Sequence, residues 1–279
     1  MKTAGAAAAA ACAGARPLGA RTLHKPVGLQ LYSVRNLLPK DFDGTLHALR
    51  ADGYTVVEAA GFFDRAAADF RKSMDAAGLR CVSAHYTLAL LESQPEQILD
   101  YAKALGLEYI ICSSSGGMHR DPAQKGEPTL DDWRWIAGEF NKVGEKVKAA
   151  GITFGVHNHT PEFATIDGTL VYDELLKLTD PGLVVFEMDC GWVWASGHNP
   201  VDYLSKTPER FPLLHVKDMV RGADGKIEMP VLGKGSIDYG PILRAATGLK
   251  YYFVEQEQFD IDPIEELKQD ADYMRKLKV

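Results

Sequence analysis

The strongest constraint on the fold is a regular alternation of short apolar runs and longer helical segments, repeated eight times after residue 26. The short runs are typical of buried strands, and the segments between them carry apolar residues at helical spacing. We predict strands over 27–34, 55–59, 80–85, 108–113, 153–159, 183–189, 213–217 and 251–257. We predict helices over 41–51, 65–77, 95–105, 130–150, 172–178, 201–205, 241–246 and 263–277.

Glycines separate most helices from the next strand, where a left-handed residue commonly ends a helix. We expect this conformation at Gly53, Gly78, Gly106, Gly151, Gly182 and Gly248. Eight such units without a break in composition predict an α/β fold, a (β/α)8 TIM barrel, as one domain over 26–279. A doubly wound sheet is less favoured, because no GxGxxG follows the first strand.

The N-terminal residues 1–20 have the pattern of an export signal, with one Lys before an Ala-rich run and small residues at two cleavage positions. They resemble the distal half of a twin-arginine signal without its paired Arg. We therefore expect a periplasmic or exported protein, or a cytoplasmic one if the start is truncated in vivo. A plain Ala-rich tail is the alternative. No other stretch approaches the ~18 apolar residues of a membrane span.

Charge and motifs exclude several classes of function. Lys and Arg number 31 against 38 Asp and Glu, with no basic run, so a nucleic-acid partner is not expected. The four Cys form no CxxC pair, which argues against thiolate zinc ribbons and thioredoxin-type chemistry. The sequence also lacks HExxH and GxSxG, the motifs of helix-borne zinc proteases and nucleophile-elbow hydrolases.

His and carboxylate side chains gather at the ends of the predicted strands, which is where a barrel places its active site. So many inward-facing charges must pair with one another or bind a cation. A satisfied core side chain explains any one of them alone, so the joint pattern is the signal. Mixed imidazole and carboxylate ligands suit Mn²⁺, Zn²⁺ or Co²⁺. The residues are Glu58, His85, His157, His159, Glu162, Glu187, Asp189, His215, Lys217, Glu255 and Glu257.

The strings GLQLYSVR, VVEAAGF, FGVHNHTPEF, MDCGWVWASGHNP, LLHVKD, GKGSIDY and FVEQEQ carry a resemblance over the chain from Val27 onward. Their order resembles the xylose isomerase-like TIM-barrel superfamily and its sugar phosphate isomerase/epimerase group, in an HNHxxEF subgroup. The resemblance implies one divalent metal bound by residues of the fifth to eighth strands. Asp189, His215 and Glu255 match three of the ligands.

The fourth ligand departs from the family pattern, because His157 stands where many members have Glu. Either His157 binds the metal or Glu162 replaces it. Mn²⁺, Zn²⁺ or Co²⁺ is favoured, with Mg²⁺ as the remaining option.

The resemblance also implies a chemistry, in which the metal stabilises an enediolate of a ketose or keto-sugar while two carboxylates move the proton. We expect Glu162 and Glu255 to be these catalytic carboxylates, in a sugar isomerase or epimerase. Trp192 and Phe62 could stack on the sugar, although rim aromatics covering the barrel mouth are an equal alternative. A solvated strand end is the alternative for Glu257. The expected substrate contacts are Glu58, His85, His159, Trp192, Lys217 and Glu257.

Two other functions stay open at this point. A metal-dependent lyase, hydratase or hydrolase acting on 3-keto-glycosides would use the same enolate chemistry, and an exported protein rarely meets sugar phosphates. A non-catalytic sugar-binding barrel is the alternative of a different class. In each case the partner is a small-molecule carbohydrate, and a homodimer is compatible with the family resemblance.

Overall fold

The structure is a computed structural model that describes residues 25–114 and 127–279. The export-like segment 1–20 lies outside the described residues, and so do residues 115–126 of the long loop after the fourth strand. Among the described residues, no helix is long and apolar enough to cross a membrane.

Eight parallel strands close into a barrel in chain order, which confirms the predicted TIM barrel. Gly28 of the first strand pairs with Val56 of the second and with Phe253 of the eighth, and these contacts close the ring. The barrel strands are β1 (Gly28–Gln30), β2 (Val56–Ala59), β3 (Arg80–Thr87), β4 (Tyr109–Ser114), β5 (Thr153–His157), β6 (Val184–Asp189), β7 (Leu213–Val216) and β8 (Tyr251–Val254).

Ten α-helices connect or follow the strands within the described residues, and eight of them overlap predicted ones. They are α1 (Phe42–Ala51), α2 (Ala67–Ala77), α3 (Leu88–Ser93), α4 (Pro95–Leu105), α5 (Leu130–Ala149), α6 (Val171–Leu178), α7 (Cys190–Ala195), α8 (Pro200–Lys206), α9 (Tyr239–Ala245) and α10 (Pro263–Lys276). Helices α3 and α7, both of six residues, were missed from the sequence because neither is long enough to show helical periodicity. Each begins at the end of a site-bearing strand.

Four predicted strands are too long at their C-terminal ends. The first strand stops at Gln30, because the Gln30 side chain accepts a hydrogen bond from the Tyr32 amide and starts a 3₁₀ turn, Leu31–Val34. The fifth, seventh and eighth strands end at His157, Val216 and Val254. His159, Lys217, Glu255 and Glu257 therefore lie on the loops above the barrel, where strand alternation no longer fixes their direction.

The glycine prediction is correct at four positions and wrong at two. Gly53, Gly78, Gly106 and Gly151 have positive φ, whereas Gly182 and Gly248 do not. Gly248 is needed for space instead, because a Cβ there would lie 2.2 Å from the Pro208 carbonyl oxygen.

An apolar layer fills the barrel directly beneath the polar strand ends. Val56, Leu213 and Phe253 belong to a buried cluster inside the barrel, separate from the larger core between strands and helices. Val56 and Leu213 lie two residues before Glu58 and His215 on the same strands, so these apolar and polar side chains form successive levels of one interior. The ring of Phe253 lies 6.2 Å from that of His215, centroid to centroid. This layer keeps water from the lower side of the polar cluster.

Candidate metal centre and pocket

The C-terminal ends of the barrel strands bring eight predicted or noted polar side chains into one buried cluster. Their contacts join strands on opposite sides of the barrel, and all but His85 are less than a tenth exposed. The cluster consists of Glu58, His85, His157, Glu187, Asp189, His215, Lys217 and Glu255.

Two imidazoles at the centre of the cluster each face a different carboxylate with each ring nitrogen. His157 places Nε2 3.8 Å from Asp189 Oδ2 and Nδ1 3.1 Å from Glu187 Oε2. His215 places Nδ1 3.0 Å from Glu255 Oε2 and Nε2 2.7 Å from Glu58 Oε1. We call Asp189 and Glu255 the outer pair, and Glu58 and Glu187 the inner pair.

The inner pair is held by protein groups from two other strands, β1 and β3. Glu58 is fully buried and accepts hydrogen bonds from Gln30 Nε2 at 2.8 Å and from the Ser83 hydroxyl. The imidazole of His85 joins the two carboxylates, with Nε2 2.9 Å from Glu58 Oε1 and 2.7 Å from Glu187 Oε2. Glu58 and Glu187 Oε2 are therefore held by donors of the chain itself, whereas Glu187 Oε1 is buried without a hydrogen-bond partner.

Burial and neighbouring charges have opposite effects on the pKa values of His85 and Glu187. Burial alone lowers the pKa of His85, but Glu58 and Glu187 outweigh it and raise that pKa to about 9. Burial raises the pKa of Glu187, but His215 and His85 more than offset this and bring it far below its usual value. An imidazolium at His85 and a carboxylate at Glu187 are thus the stable forms at neutral pH.

The outer pair faces a buried ammonium group instead. Lys217 Nζ lies 3.0 Å from Asp189 Oδ2 and 2.6 Å from Glu255 Oε2. It also lies 3.0 Å from Glu257 Oε1. Burial lowers the pKa of Lys217, but these carboxylates outweigh it and raise the pKa above its ordinary value. The lysine therefore stays charged at neutral pH.

The outer pair fits a divalent cation. Ligand atoms of Asp189, His215 and Glu255 lie within 4.8 Å of one another, and His157 Nε2 lies 3.8 Å from Asp189 Oδ2. Although Asp189 Oδ2 is within ion-pair distance of Lys217, it is buried and makes no hydrogen bond of acceptable geometry. Both imidazoles have a carboxylate behind them, which is the usual support of a metal-bound His. The mixed donors suit Mn²⁺, Zn²⁺ or Co²⁺.

A second group of potential ligand atoms lies deeper, formed by His85, His157, Glu187 and His215. Its donor and acceptor distances run from 2.7 to 3.2 Å, the range of ordinary hydrogen bonds. These contacts account for the deeper group as the support of the outer one.

Glu162 lies apart from both groups among the described residues. It sits in a 3₁₀ turn, Pro161–Phe163, and its Oε2 accepts a hydrogen bond from the His159 amide at 2.8 Å. Burial raises its pKa to about 7. Of the two candidates for the fourth ligand, the structure brings His157 into the cluster and leaves Glu162 outside it.

One pocket of about 420 Å³ reaches the cluster from the barrel mouth. The end of the pocket nearest the cluster is lined by the titratable residues His85, His157, His159, Glu255 and Glu257. Burial, reinforced by the charge of Lys217, lowers the pKa of His159 to about 4, so this ring is neutral at neutral pH. The remaining lining residues are Tyr32, Ala60, Gly61, Tyr86, Thr87, Leu90 and Ser113.

Other predicted substrate contacts lie beside this pocket or beneath it. Trp192 holds its ring 5.3 Å from Lys217 Nζ and 6.2 Å from the His159 ring. Phe62 packs on Phe70 and Tyr101, with centroids 5.3 and 4.2 Å away. Neither ring is among the described residues that line the pocket, and direct contact of Glu58, Lys217 or Trp192 with substrate stays a prediction.

Some functional support was missed from the sequence. Glu187 was counted among the residues at the strand ends but given no role, and Gln30 and Ser83 gave no signal. Asp218 was also missed. Its buried carboxylate accepts hydrogen bonds from four backbone amides in the loop after β7, those of Met219, Gly233, Gly235 and Ile237.

The GKGSIDY string is explained by this loop. A Cβ at Gly235 would lie 2.3 Å from Asp218 Oδ1, so only glycine fits there. Tyr239, the last residue of the string, uses its hydroxyl to accept from the Lys217 amide and to donate to the Lys217 carbonyl. The motif therefore fixes the backbone that presents Lys217.

Comparison with known proteins agrees with this architecture. Inosose dehydratase from Clostridium botulinum is 25% identical over 249 residues, covering 78% of this chain and 82% of that protein. A sugar phosphate isomerase/epimerase structure from Parabacteroides distasonis has a TM-score of 0.76 and 29% identity, covering 90% of this chain and 94% of the other. These relatives are enzymes, in agreement with the predicted enzymatic function.

A second solved structure adds a metal-bound example of the fold. It is a xylose isomerase-like TIM barrel protein from Mycobacterium smegmatis in complex with magnesium, with a TM-score of 0.66 and 14% identity, covering 91% of this chain and 96% of the other. The family model for the xylose isomerase-like TIM barrel matches residues 46–277. With eight strands closed in order around a cluster of imidazoles and carboxylates, the chain belongs to the xylose isomerase-like TIM barrel family.

Proposed function

We propose that this protein is a divalent-metal-dependent sugar isomerase or epimerase that moves the proton beside the carbonyl of a ketose or keto-sugar. The observation that carries the proposal is the two-sided contact of His157 and His215. One nitrogen of each ring faces a carboxylate of the outer pair, and the other nitrogen contacts a carboxylate of the inner pair. A pocket of substrate size ends beside that arrangement.

The residues that would hold the metal are His157, Asp189, His215 and Glu255. When bound, a divalent cation supplies positive charge that stabilises the negative charge developing on substrate oxygen. The magnesium complex of the structural relative supports a metal in this fold, and the mixed donors favour Mn²⁺, Zn²⁺ or Co²⁺ over Mg²⁺ here.

The chain's own groups supply the proton transfer. Burial raises the pKa of Glu255, but Lys217 and His215 outweigh it and keep that pKa far below its usual range. Glu255 is therefore an ionised proton acceptor on the pocket wall. Glu162 is the candidate for the second proton carrier, since its pKa of about 7 lets it give and take a proton near neutral pH.

The remaining pocket residues orient the sugar. A neutral His159 can donate one hydrogen bond to a hydroxyl and accept another. Lys217 and Glu257 form a charged pair at the mouth of the cluster, with Nζ and Oε1 3.0 Å apart, and can bind neighbouring hydroxyls. This grip fixes which C–H bond faces Glu255.

A dehydratase is the second candidate, favoured by the inosose dehydratase relatives. Elimination begins with removal of the same proton. The electron pair of the C–H bond then forms a C=C bond as the neighbouring hydroxyl, taking up a proton, leaves as water. The two candidates differ only in the step after proton removal.

The test is proton exchange in D₂O, followed by nuclear magnetic resonance. Protein loaded with Mn²⁺, Co²⁺, Zn²⁺ or Mg²⁺ is mixed with D-fructose, an inosose or 3-keto-glucose. Deuterium entering the position beside the carbonyl, with an epimer or isomer formed, supports the main proposal. An unsaturated product supports the dehydratase. If no metal and sugar combination gives exchange, both enzymatic candidates are rejected and the sugar-binding barrel is favoured. The Glu255→Gln variant is the control, because it should lose the exchange that depends on Glu255.

A further inference from the structure

The pocket has two chemically different ends. One end carries the titratable groups of the proposed site, and the other lies above β1–β3. That second end is formed by Tyr32, Ala60, Gly61, Tyr86, Thr87 and Leu90, none of which carries a charge. We call these six residues the apolar rim.

The apolar rim exposes large apolar side chains to an unusual degree. Only four large hydrophobic residues in the described part of the chain are exposed, and two of them, Tyr32 at 42% and Leu90 at 39%, line this one pocket. Scattered exposed apolar residues need no explanation, but two at the mouth of one cavity indicate a binding surface. Both stand on elements that come directly after barrel strands, the 3₁₀ turn after β1 and helix α3 after β3.

Tyr32 is held in place by Arg35 and Gln30. The guanidinium of Arg35 lies 4.1 Å from the centre of the Tyr32 ring and donates a hydrogen bond to the Tyr32 carbonyl at 2.8 Å. The Tyr32 amide donates to Gln30 Oε1, and the same Gln30 side chain donates to Glu58 of the inner pair. A ring fixed on one face loses little entropy when a ligand covers the other.

The rim also has room for a ligand. A Cβ built on Gly61 would meet no atom within 4 Å, so open space lies above this residue. The whole cavity of about 420 Å³ is within the ~300–1,000 Å³ that holds ligands of drug size.

We infer that the substrate is a glycoside of a keto-sugar, with its sugar against Glu255 and His159 and an apolar or aromatic aglycone against Tyr32, Tyr86 and Leu90. This inference rests on the proposed function, which it narrows from keto-sugars in general to their glycosides. The rim and the proton-transfer groups share one cavity, so one ligand spans both. None of the six rim residues is a cation, and the neighbouring Arg35 is already engaged with the Tyr32 ring and with the Tyr32 and Glu257 carbonyls, so a sugar phosphate fits this end poorly.

The test is calorimetric binding of unreactive glucosides to the Mn²⁺-loaded protein. The probes are phenyl β-D-glucoside, methyl β-D-glucoside, cellobiose and glucose 6-phosphate. We expect the phenyl glucoside to bind about tenfold more tightly than the methyl glucoside, a difference of about 1.4 kcal/mol. Tyr32→Ala and Leu90→Ala should each reduce this preference to about threefold or less without changing the affinity for the methyl glucoside.

Matched variants separate ring contact from general damage. Leu178→Ala removes a leucine of similar exposure, 38%, that does not line the pocket, and should leave the tenfold preference intact. Tyr32→Phe keeps the ring and should restore the preference lost in Tyr32→Ala. Circular dichroism confirms that each variant is folded.

The contrary results are specific. Equal affinity for the phenyl and methyl glucosides, or no phenyl glucoside binding at millimolar concentration, overturns the inference. Tightest binding of cellobiose or of glucose 6-phosphate also overturns it, in favour of a polar second ring or a phosphate. Phenyl preference without any deuterium exchange upholds the inference while rejecting the proposed chemistry. Exchange without phenyl preference upholds the chemistry and rejects the glycoside.

Discussion

The inner and outer carboxylate pairs face the same two imidazoles but differ in what else they contact. Glu58 and Glu187 are fully buried and meet protein groups, Gln30, Ser83 and His85 in the case of Glu58 and His85 in the case of Glu187. The outer pair meets Lys217, and Glu255 reaches the pocket wall. Carboxylates therefore have two different surroundings in this site. The contact that each one makes besides the imidazoles distinguishes the inner pair from the outer pair.

The two pairs also separate support from binding. In the proposed metal centre the inner pair would orient the rings by contacting His157 Nδ1 and His215 Nε2, as carboxylates that support a metal-bound His do. The outer pair lies on the side where the remaining nitrogens converge. Substitutions in the outer pair should therefore reduce the metal affinity more than substitutions in the inner pair. The inner pair should instead affect how the stability depends on pH.

The largest effect is expected in the outer pair. Asp189→Asn keeps the shape of the side chain but removes the charge of a proposed ligand. We expect the affinity for Mn²⁺ to fall by more than about a hundredfold. This exceeds the 10–100-fold loss that is typical when a residue that only supports a metal ligand is replaced. Isothermal titration of the chelator-treated protein measures this.

Glu257→Gln is the matched control for Asp189→Asn, since Glu257 touches the same Lys217 ammonium without contacting either imidazole among the described contacts. It should retain wild-type Mn²⁺ affinity. If the two variants lost affinity equally, the outer pair would act through Lys217 and not as ligands.

The inner pair should show a smaller loss of affinity. Glu187→Gln leaves His157 and His215 in place but weakens the acceptor that both rings face, at 3.1 and 3.2 Å. We expect Mn²⁺ affinity to drop by about 10–100-fold, measured by the same titration. A drop as large as that of Asp189→Asn would make Glu187 a ligand, and the deeper group of donors would then be the metal centre.

A pH dependence distinguishes the pairs through stability. His85 has a folded pKa of about 9 against an ordinary 6.5, and the inner pair is the cause. A pKa raised on folding contributes stability that is complete below the unfolded pKa and is lost as the pH rises through the folded pKa. The free energy of unfolding of the metal-free protein should thus fall between pH 6.5 and about 9, by up to ~3 kcal/mol from His85.

Urea unfolding at a series of pH values tests this dependence. His215, whose pKa is also raised in the metal-free protein, contributes in the same direction, whereas the lowered pKa values of His157 and His159 act only below pH 6.5. His85→Gln should flatten part of the slope. A wild-type curve that is level over this range would show that His85 is neutral and that the inner carboxylates are compensated in another way.

The fold was predictable because its signals are local and repeated. Gly78 and Gly106 take the expected left-handed conformation at helix ends, and the buried runs around Val56 and Leu213 form barrel strands. The failures are also local. Helices α3 and α7 are too short to show a period, and the Gln30 side chain ends β1 in a way that no propensity indicates.

The residues of the site were predictable from the sequence, but their division into an inner and an outer pair was not. Strand alternation places Glu187 and Asp189 on one face, yet it does not say that Glu187 supports the rings while Asp189 faces Lys217. That difference depends on contacts with Glu58 and His85, which come from strands about a hundred residues or more away in the chain. Only the closed barrel brings them together.

The smallest effect on metal binding is expected at Glu162. This carboxylate contacts the His159 amide and lies outside both groups of ligand atoms, so Glu162→Gln should change Mn²⁺ affinity by less than about threefold. Its pKa of about 7 nevertheless predicts a kinetic effect, because the amide can no longer carry a proton. Deuterium exchange should slow by about 10²–10⁴-fold while metal affinity holds. A loss of Mn²⁺ affinity matching that of Asp189→Asn would instead make Glu162 the fourth ligand, leaving His157 as a support held by the inner pair.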